Sequence, residues 1–281
     1  MDRPERALPV RRIRFRYPAG SLHRHYVEDD LMMSHVVAVL SATFPPGEDF
    51  FIRSVRHYAG QVTDPVLREQ VRGFIGQEAT HGREHRELNR RLQEMGYPTH
   101  RVSRFVKASL ASATKRAPAR LCLAYTAALE HYTATIAECL LTKPEAQQLL
   151  GDTEVRNILL WHALEETEHK AVAFDVYRTI GGSERVRRLG FAIQTVGLLG
   201  TVLIATVLSM LRDRATYNPV RLARSVWRLR RSPFLQADVR RSLADYWREG
   251  FHPSDHDNEE LLRVWTERLF GPQGSLADHL R

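Results

Sequence analysis

The stretch DPVLREQVRGFIGQEATHGREHRELNRRLQEMG, Asp64 to Gly96, decides the fold class. It opens with Asp as a helix N-cap and Pro at the first helical position. It closes on Gly96, with Pro98 just beyond. Nothing between those signals breaks the helical period. The pattern predicts one helix of about thirty residues, a length typical of bundles rather than of ordinary globular helices. Near its middle, Glu78, His81 and His85 fall at spacings of three and four and share one face. Taken alone, that face reads most simply as solvated. The other reading is that it holds a metal.

A second stretch, WHALEETEHK (Trp161–Lys170), argues for the metal. Glu166 and His169 repeat the Glu-x-x-His spacing, and His162 lies on the same face, seven residues before His169. Between the two motifs, Pro118 opens a helix that ends near Thr142, with Glu130 in LEHYTA near its centre. Ahead of them all stands Glu48, in FPPGEDFF. The chain order is Glu, Glu-x-x-His, Glu, Glu-x-x-His, with 30 residues from Glu48 to Glu78 and 36 from Glu130 to Glu166. One such motif is weak in a chain with 13 His. Two, each preceded by a helix with an apolar-flanked Glu, are far more restrictive.

Physical chemistry asks for this arrangement. A four-helix bundle can aim one side chain from each helix at its centre. Four carboxylates and two imidazoles suit two adjacent Fe²⁺ or Mn²⁺ ions, with Zn²⁺ as a further candidate. Buried without cations, four carboxylates would be prohibitively costly. Glu165 is also four residues from His169 and is the alternative to Glu166, which the symmetry with Glu78 and His81 favours. His85 and His162 are either extra ligands or, the favoured reading, groups that orient a carboxylate. Tyr132, two residues from Glu130, is turned about 200° away and reads as packing.

The pattern resembles the ferritin-like di-iron carboxylate superfamily. In detail, FPPGEDFF, QEATHGREH, LEHYTA and WHALEETEHKAVAFDVY look like the bacterial family labelled predicted metal-dependent hydrolases. The resemblance covers roughly residues 20–215. It implies a ferritin-like four-helix bundle with the metal ligands Glu48, Glu78, His81, Glu130, Glu166 and His169. In one respect the chain departs from the superfamily. Glu48 follows Pro45-Pro46-Gly47 directly, which predicts a helix beginning at the level of the metals, where the superfamily's first ligand sits mid-helix.

The rest of the chain also reads as helical. Helices are expected at Asp29–Ser41, stopped by Pro45-Pro46, and at Glu48–Gly60. A polar loop is expected over 96–116, and a helix from an Asp152 or Thr153 cap to Ile180. Residues 1–20 read as a poorly ordered, Arg-rich arm, residues 21–215 as the metal-binding bundle, and 216–281 as an Arg- and Trp-rich extension with short helices at 219–229, 234–249 and 257–270.

The bundle includes an apolar helix over 185–212, in which Leu189–Leu211 carries no charge. Its 23 residues span about 35 Å, enough to cross a bilayer. Three readings are open: a helix buried on the bundle or in a homodimer interface, a shallow membrane contact, or a true span. The basic, amphipathic NPVRLARSVWRLRRSPF that follows suits an anionic lipid surface, so membrane contact is expected through 189–229.

The formal net charge is +8, nearly all from arginine. It allows nucleic acid, lipid head groups or plain solubility. With no nucleic-acid motif and no stacking platform, nucleic-acid binding is not expected. Cys122 and Cys139 fall in one helix, about 25 Å apart, and cannot pair. With no apolar secretory core near the start, the chain reads as cytoplasmic, at most peripheral to the inner membrane.

The leading functional expectation is an O₂-dependent di-iron oxidase or oxygenase acting on a small apolar substrate. Flavin, nicotinamide and iron–sulfur motifs are lacking, so its electrons would come from an external donor. The first alternative is a metal-dependent hydrolase, with the ions acting as Lewis acids for a hydroxide nucleophile. The second is ferritin-type iron oxidation or storage.

Overall fold

The structure is a computed structural model that describes residues 7–151 and 153–281. Among the described residues the regular structure is helical, apart from one isolated antiparallel bridge between Ile13 and Leu280. The helices are α1 (Leu31–Tyr58), α2 (Pro65–Glu94), α3 (Thr99–Arg116), α4 (Ala119–Thr142), α5 (Pro144–Leu149) and α6 (Glu154–His169). They continue with α7 (Val172–Thr179), α8 (Glu184–Met210), α9 (Pro219–Arg230), α10 (Ala237–Asp245) and α11 (Glu259–Phe270). The chain is all-α, as expected.

The punctuation of α2 works as read. Asp64 accepts from the Val66 amide, Pro65 takes the first position, and Gly96 turns the chain with φ of 92°. The reading of α1 was wrong. Pro45 and Pro46 do not stop it; they sit inside one helix of 28 residues. Proline removes the N–H that the carbonyl four residues earlier needs. For Pro45 that carbonyl belongs to Ser41, and Asn89 of α2 supplies the missing donor at 2.8 Å. A tertiary hydrogen bond therefore carries the helix through the break, and Glu48 sits well inside α1.

Other boundaries also moved. The expected polar loop at 96–116 is largely helix α3, packed on α1 through Val102. The expected helix from 153 to 180 is two, because α6 ends at His169. At that break the Lys170 ammonium reaches the His256 carbonyl and the Asn258 side chain, at 2.6 and 2.7 Å. Thr153 caps α6 by accepting from the Val155 amide. The alternative cap, Asp152, lies outside the described residues.

The basic arm is not loose over its described part. Ile13, Phe15 and Tyr17 are buried while Arg14 and Arg16 face out, as an extended strand alternates. The Arg14 amide donates to the His279 carbonyl, and the Arg281 amide to that of Arg12. The arm also lies across α2. A Cβ at Gly73 would fall 2.5 Å from that of Leu8, so glycine is what lets the two backbones approach. The C-terminal extension joins the same interior. Leu262, Trp265, Leu269 and Leu276 pack in one apolar cluster with Ile13, Phe15, Leu88, Leu92 and Trp161.

Of the three readings of the apolar helix, burial against the bundle does not hold for most of its length. One face of α8 packs through Gly190, Phe191, Thr206, Ser209 and Met210. Of its most apolar stretch only 11% is buried, and it is the one described helix long and apolar enough to cross a membrane.

Candidate metal centre

Four helices aim acidic side chains at one buried point. Glu48 comes from α1, Glu78 and His81 from α2, Glu130 from α4, and Glu166 and His169 from α6. All six are buried. The structure brings together every residue expected to ligate, together with His162 from α6.

Two groups are close enough to share an ion: Glu48 with His81 and His162, and Glu78 with Glu166 and His169. Within each, the ligand atoms lie inside 4.8 Å of one another. Glu130 stands at the second group, its Oε2 3.3 Å from His169 Nε2. Two carboxylates look both ways. Glu78 Oε1 is 3.2 Å from His169 Nε2 and 3.5 Å from His81 Nδ1. Glu166 Oε1 is 2.8 Å from His162 Nε2 and 3.6 Å from His81 Nδ1, while its Oε2 is 3.7 Å from His169 Nε2. Gly82 makes room for the α1 carboxylate: a Cβ there would fall 2.9 Å from Glu48 Oε2.

Most of the polar atoms at this point lack hydrogen-bond partners. They are both carboxylate oxygens of Glu48, Glu78 and Glu130, Oε2 of Glu166, Nδ1 of His81 and Nε2 of His169. Buried polar atoms are seldom left unpaired, because each costs about 1–3 kcal/mol and charged ones more. So many converging on one spot is the signature of a cation site. The protein alone meets the cost with protons. Burial, then repulsion from Glu166, pushes the Glu78 and Glu130 carboxyls each up to about 8. Burial, with Glu78 next, drives Glu48 well above the carboxylate range. Burial opposes the charge on Glu166 as well, but His169 and His162 outweigh it and hold that carboxyl low. Burial, and then His81, lowers His162 and favours its neutral, ligand-competent form.

Behind the ligand atoms lies a set of supporting bonds that the sequence did not reveal. His81 turns Nε2 to Glu165 at 3.1 Å, leaving Nδ1 aimed at the carboxylates. His169 donates Nδ1–H to Gln77 at 2.9 Å, leaving Nε2 inward. Glu165 therefore orients a histidine from outside the cluster, and Glu166 stands within the group that could share an ion. Gln77 in turn donates to Glu168 at 2.8 Å. Arg11, from the arm, binds Glu165 at 2.9 Å and Glu168 at 2.6 and 2.8 Å. Burial works against the Arg11 charge, but Glu168 and Glu165 outweigh it and raise it above its ordinary value. One guanidinium thus anchors the groups that orient both histidines. The only signal in the sequence was the alternation Ile13-Arg14-Phe15-Arg16-Tyr17, which marks the arm as a packed strand.

His85 and His162 part company. His162 stands in the first cluster; His85 stands one step back, its Nε2 2.8 Å from His162 Nδ1 and its Nδ1 2.9 Å from Ser41 Oγ. The Phe44 ring packs on both imidazoles, with centroids 4.7 Å away. Beyond Phe44 lies a cavity of about 240 Å³. His162 and Glu166 reach its inner end, and the rest of its wall is almost wholly apolar, including Leu140 and Leu159.

Comparison with known proteins agrees on the dependence on metal. The family model described as "Predicted metal-dependent hydrolase" matches residues 9–257, and the chain belongs to that family. No curated protein and no solved structure gives a match.

Proposed function

We propose that this member of the metal-dependent hydrolase family is an enzyme with a dinuclear metal centre that acts on an apolar substrate held in the adjoining cavity. The carrying observation is the convergence of unpartnered, buried ligand atoms from α1, α2, α4 and α6. Glu48, His81 and His162 would hold one ion, and Glu130 and His169 the other, with Glu78 and Glu166 shared. Four helices converging on such a pair support the ferritin-like reading. Oxygen donors with a minority of imidazoles suit Fe²⁺, Mn²⁺ or Zn²⁺. Bound there, such ions supply Lewis-acid polarisation and, in the case of iron or manganese, electrons.

The chain's own residues do the rest. Glu165 and Gln77 hold His81 and His169 in the orientation that presents one ring nitrogen each. With His162 Nε2 committed to an ion, its Nδ1–H donates to His85, and His85 Nδ1–H to Ser41 Oγ. That row fixes the tautomer and orientation of His162 and ties it to α1. Phe44 and the cavity wall exclude water and bind hydrocarbon.

Hydrolysis is the reading that the family description supports, and it now stands ahead of the oxidation expected from the spacing. Oxidation by O₂ with an external electron donor is the second reading. The cavity favours it, since its wall has few polar groups to grip an ester or phosphate. Metal analysis of protein purified without added metal tests both, and about two ions per chain are expected. Zinc with turnover of long-chain nitrophenyl esters and no O₂ uptake supports hydrolysis. Iron whose reduced form consumes O₂ supports oxidation. Metal content that survives both Glu78→Ala and His169→Ala would sink either reading.

A further inference from the structure

The exposed apolar face of α8 is not used by the centre. Leu189, Val196, Leu199, Leu203, Ile204 and Leu208 are between 49% and 76% exposed. Contiguous apolar surface on this scale marks a contact with something apolar. On the side of the same helix away from Val196, Leu199 and Leu203, Gln194, Gly197, Leu198 and Thr201 form part of the cavity wall. The neighbouring wall is α3, through Phe105, Val106, Ser109 and Leu110, and Phe105 is 61% exposed. Val106 of α3 and Val202 and Ala205 of α8 pack in one small cluster. The cavity thus runs from the centre to the seam between α3 and α8.

Two helices near α8, one beside the cavity and one following it in the chain, carry charge of one sign. Helix α3 carries Arg101, Arg104 and Lys107 exposed and contains no acidic residue. Helix α9, which follows the end of α8, carries Arg224 and Arg230 exposed and likewise contains none. Trp227 is half exposed there, with the Arg231 guanidinium 4.0 Å over its ring.

We propose that α8 lies in the plane of an anionic lipid bilayer, flanked by the cationic α3 and α9, and that the seam between α3 and α8 is a portal by which an apolar molecule passes from the bilayer into the cavity. The portal half rests on the cavity being the substrate site; the lipid-docking half does not. A helix with one face packed on α1 and α4 cannot be wrapped by lipid on every side, so α8 lies along the surface and does not span. A second copy is the competing cover. Two-fold pairing through this face would set the cationic helices against cationic helices, which is repulsive, whereas anionic head groups match them.

The test uses the purified full chain and sedimentation with phosphatidylcholine vesicles, with and without phosphatidylglycerol. The chain is expected to bind only the phosphatidylglycerol vesicles and to leave them as salt is raised. Val196→Glu with Leu203→Glu, both on the open face, should cut binding about tenfold or more, with metal content unchanged. Arg224→Glu with Arg230→Glu should weaken binding to the anionic vesicles. For the portal, the probe is dansylundecanoic acid. Gly197→Phe should keep vesicle binding yet lose about tenfold in dye uptake. Space is not the obstacle at that site, where an added Cβ meets nothing nearer than Gln194 Oε1 at 3.5 Å.

Equal binding to both vesicle types, or unimpaired binding by the Val196→Glu, Leu203→Glu variant, overturns lipid docking. So does a wild-type dimer that this variant splits into monomers, since a second copy then covers the face. Unchanged dye uptake by Gly197→Phe overturns the portal. Vesicle binding that persists when Glu78→Ala has removed the metal leaves docking intact, and its loss with metal retained leaves the centre intact.

Discussion

Replacing Arg11 with Met removes the one guanidinium that binds Glu165 and Glu168, and leaves a side chain of similar reach in its place. The Arg11 side chain is 9% exposed and those of Glu165 and Glu168 are 0% and 1%, so solvent screens this network very little. Breaking a buried ion pair from one side costs about 3–5 kcal/mol, because the partner charge stays behind unpaired. Here each carboxylate keeps one bond, Glu165 to His81 and Glu168 to Gln77. The loss should therefore fall near the low end, about 3 kcal/mol, in urea unfolding of the chelator-treated protein. The same network orients His81 and His169, so metal affinity should fall about 10- to 100-fold in a competition titration. Adding Glu168→Gln to Arg11→Met removes one stranded charge and should restore part of the stability. A stability change below about 0.5 kcal/mol, or two substitutions whose effects simply add, would refute the coupling.

Three further outcomes are expected. Glu78→Gln should lower metal content by half or more, yet stabilise the metal-free protein by about 1 kcal/mol, since it removes one crowded carboxylate; metal analysis and urea unfolding read the two effects. Asn89→Ala should cost about 1–3 kcal/mol by leaving the Ser41 carbonyl unpaired inside α1, measured by the same unfolding. The third concerns pH. The Glu78 and Glu130 carboxyls rise from 4.5 unfolded to about 8 folded in the metal-free protein, so the folded state holds the protons more tightly. Their contribution to stability is complete below 4.5 and is lost as pH rises to about 8. Thermal melts of the metal-free protein should fall across that window, and added metal should raise them most at its upper end. A melt that rises between those limits would contradict the sign.

Much of the centre was legible because helical spacing makes a geometric statement. Residues three and four apart on one helix share a face wherever the helix lies, so Glu78 with His81, and Glu166 with His169, paired as read. The symmetry of the two motifs favoured Glu166 over Glu165, and Glu166 is the one placed among the possible ligands. Glu48 stands with the other candidate ligands, but inside its helix and not at the start where it was expected. Pro45-Pro46 was expected to end one helix and Glu48 to begin the next, and a proline pair is a fair stop signal when only local bonds are counted. Asn89, 48 residues away in sequence, supplies the donor that reverses it. The 96–116 segment failed as a loop for a related reason. Its charges mask a stripe of Val102 and Val106 that becomes apolar surface only once α1 and α8 stand beside it.

By itself the sequence determined the all-α class, the span of α2 and α4, and the carboxylates and imidazoles that could meet. Each depends on interactions within about a turn of helix, or on residue chemistry alone. Only the tertiary structure decided that Arg11 belongs to the centre, that His162 stands at the ligand positions with His85 behind it, and that α8 keeps an open apolar face. Those are relations between segments far apart in the chain. The energies that settle them, desolvation and long-range hydrogen bonding, do not exist until the segments touch.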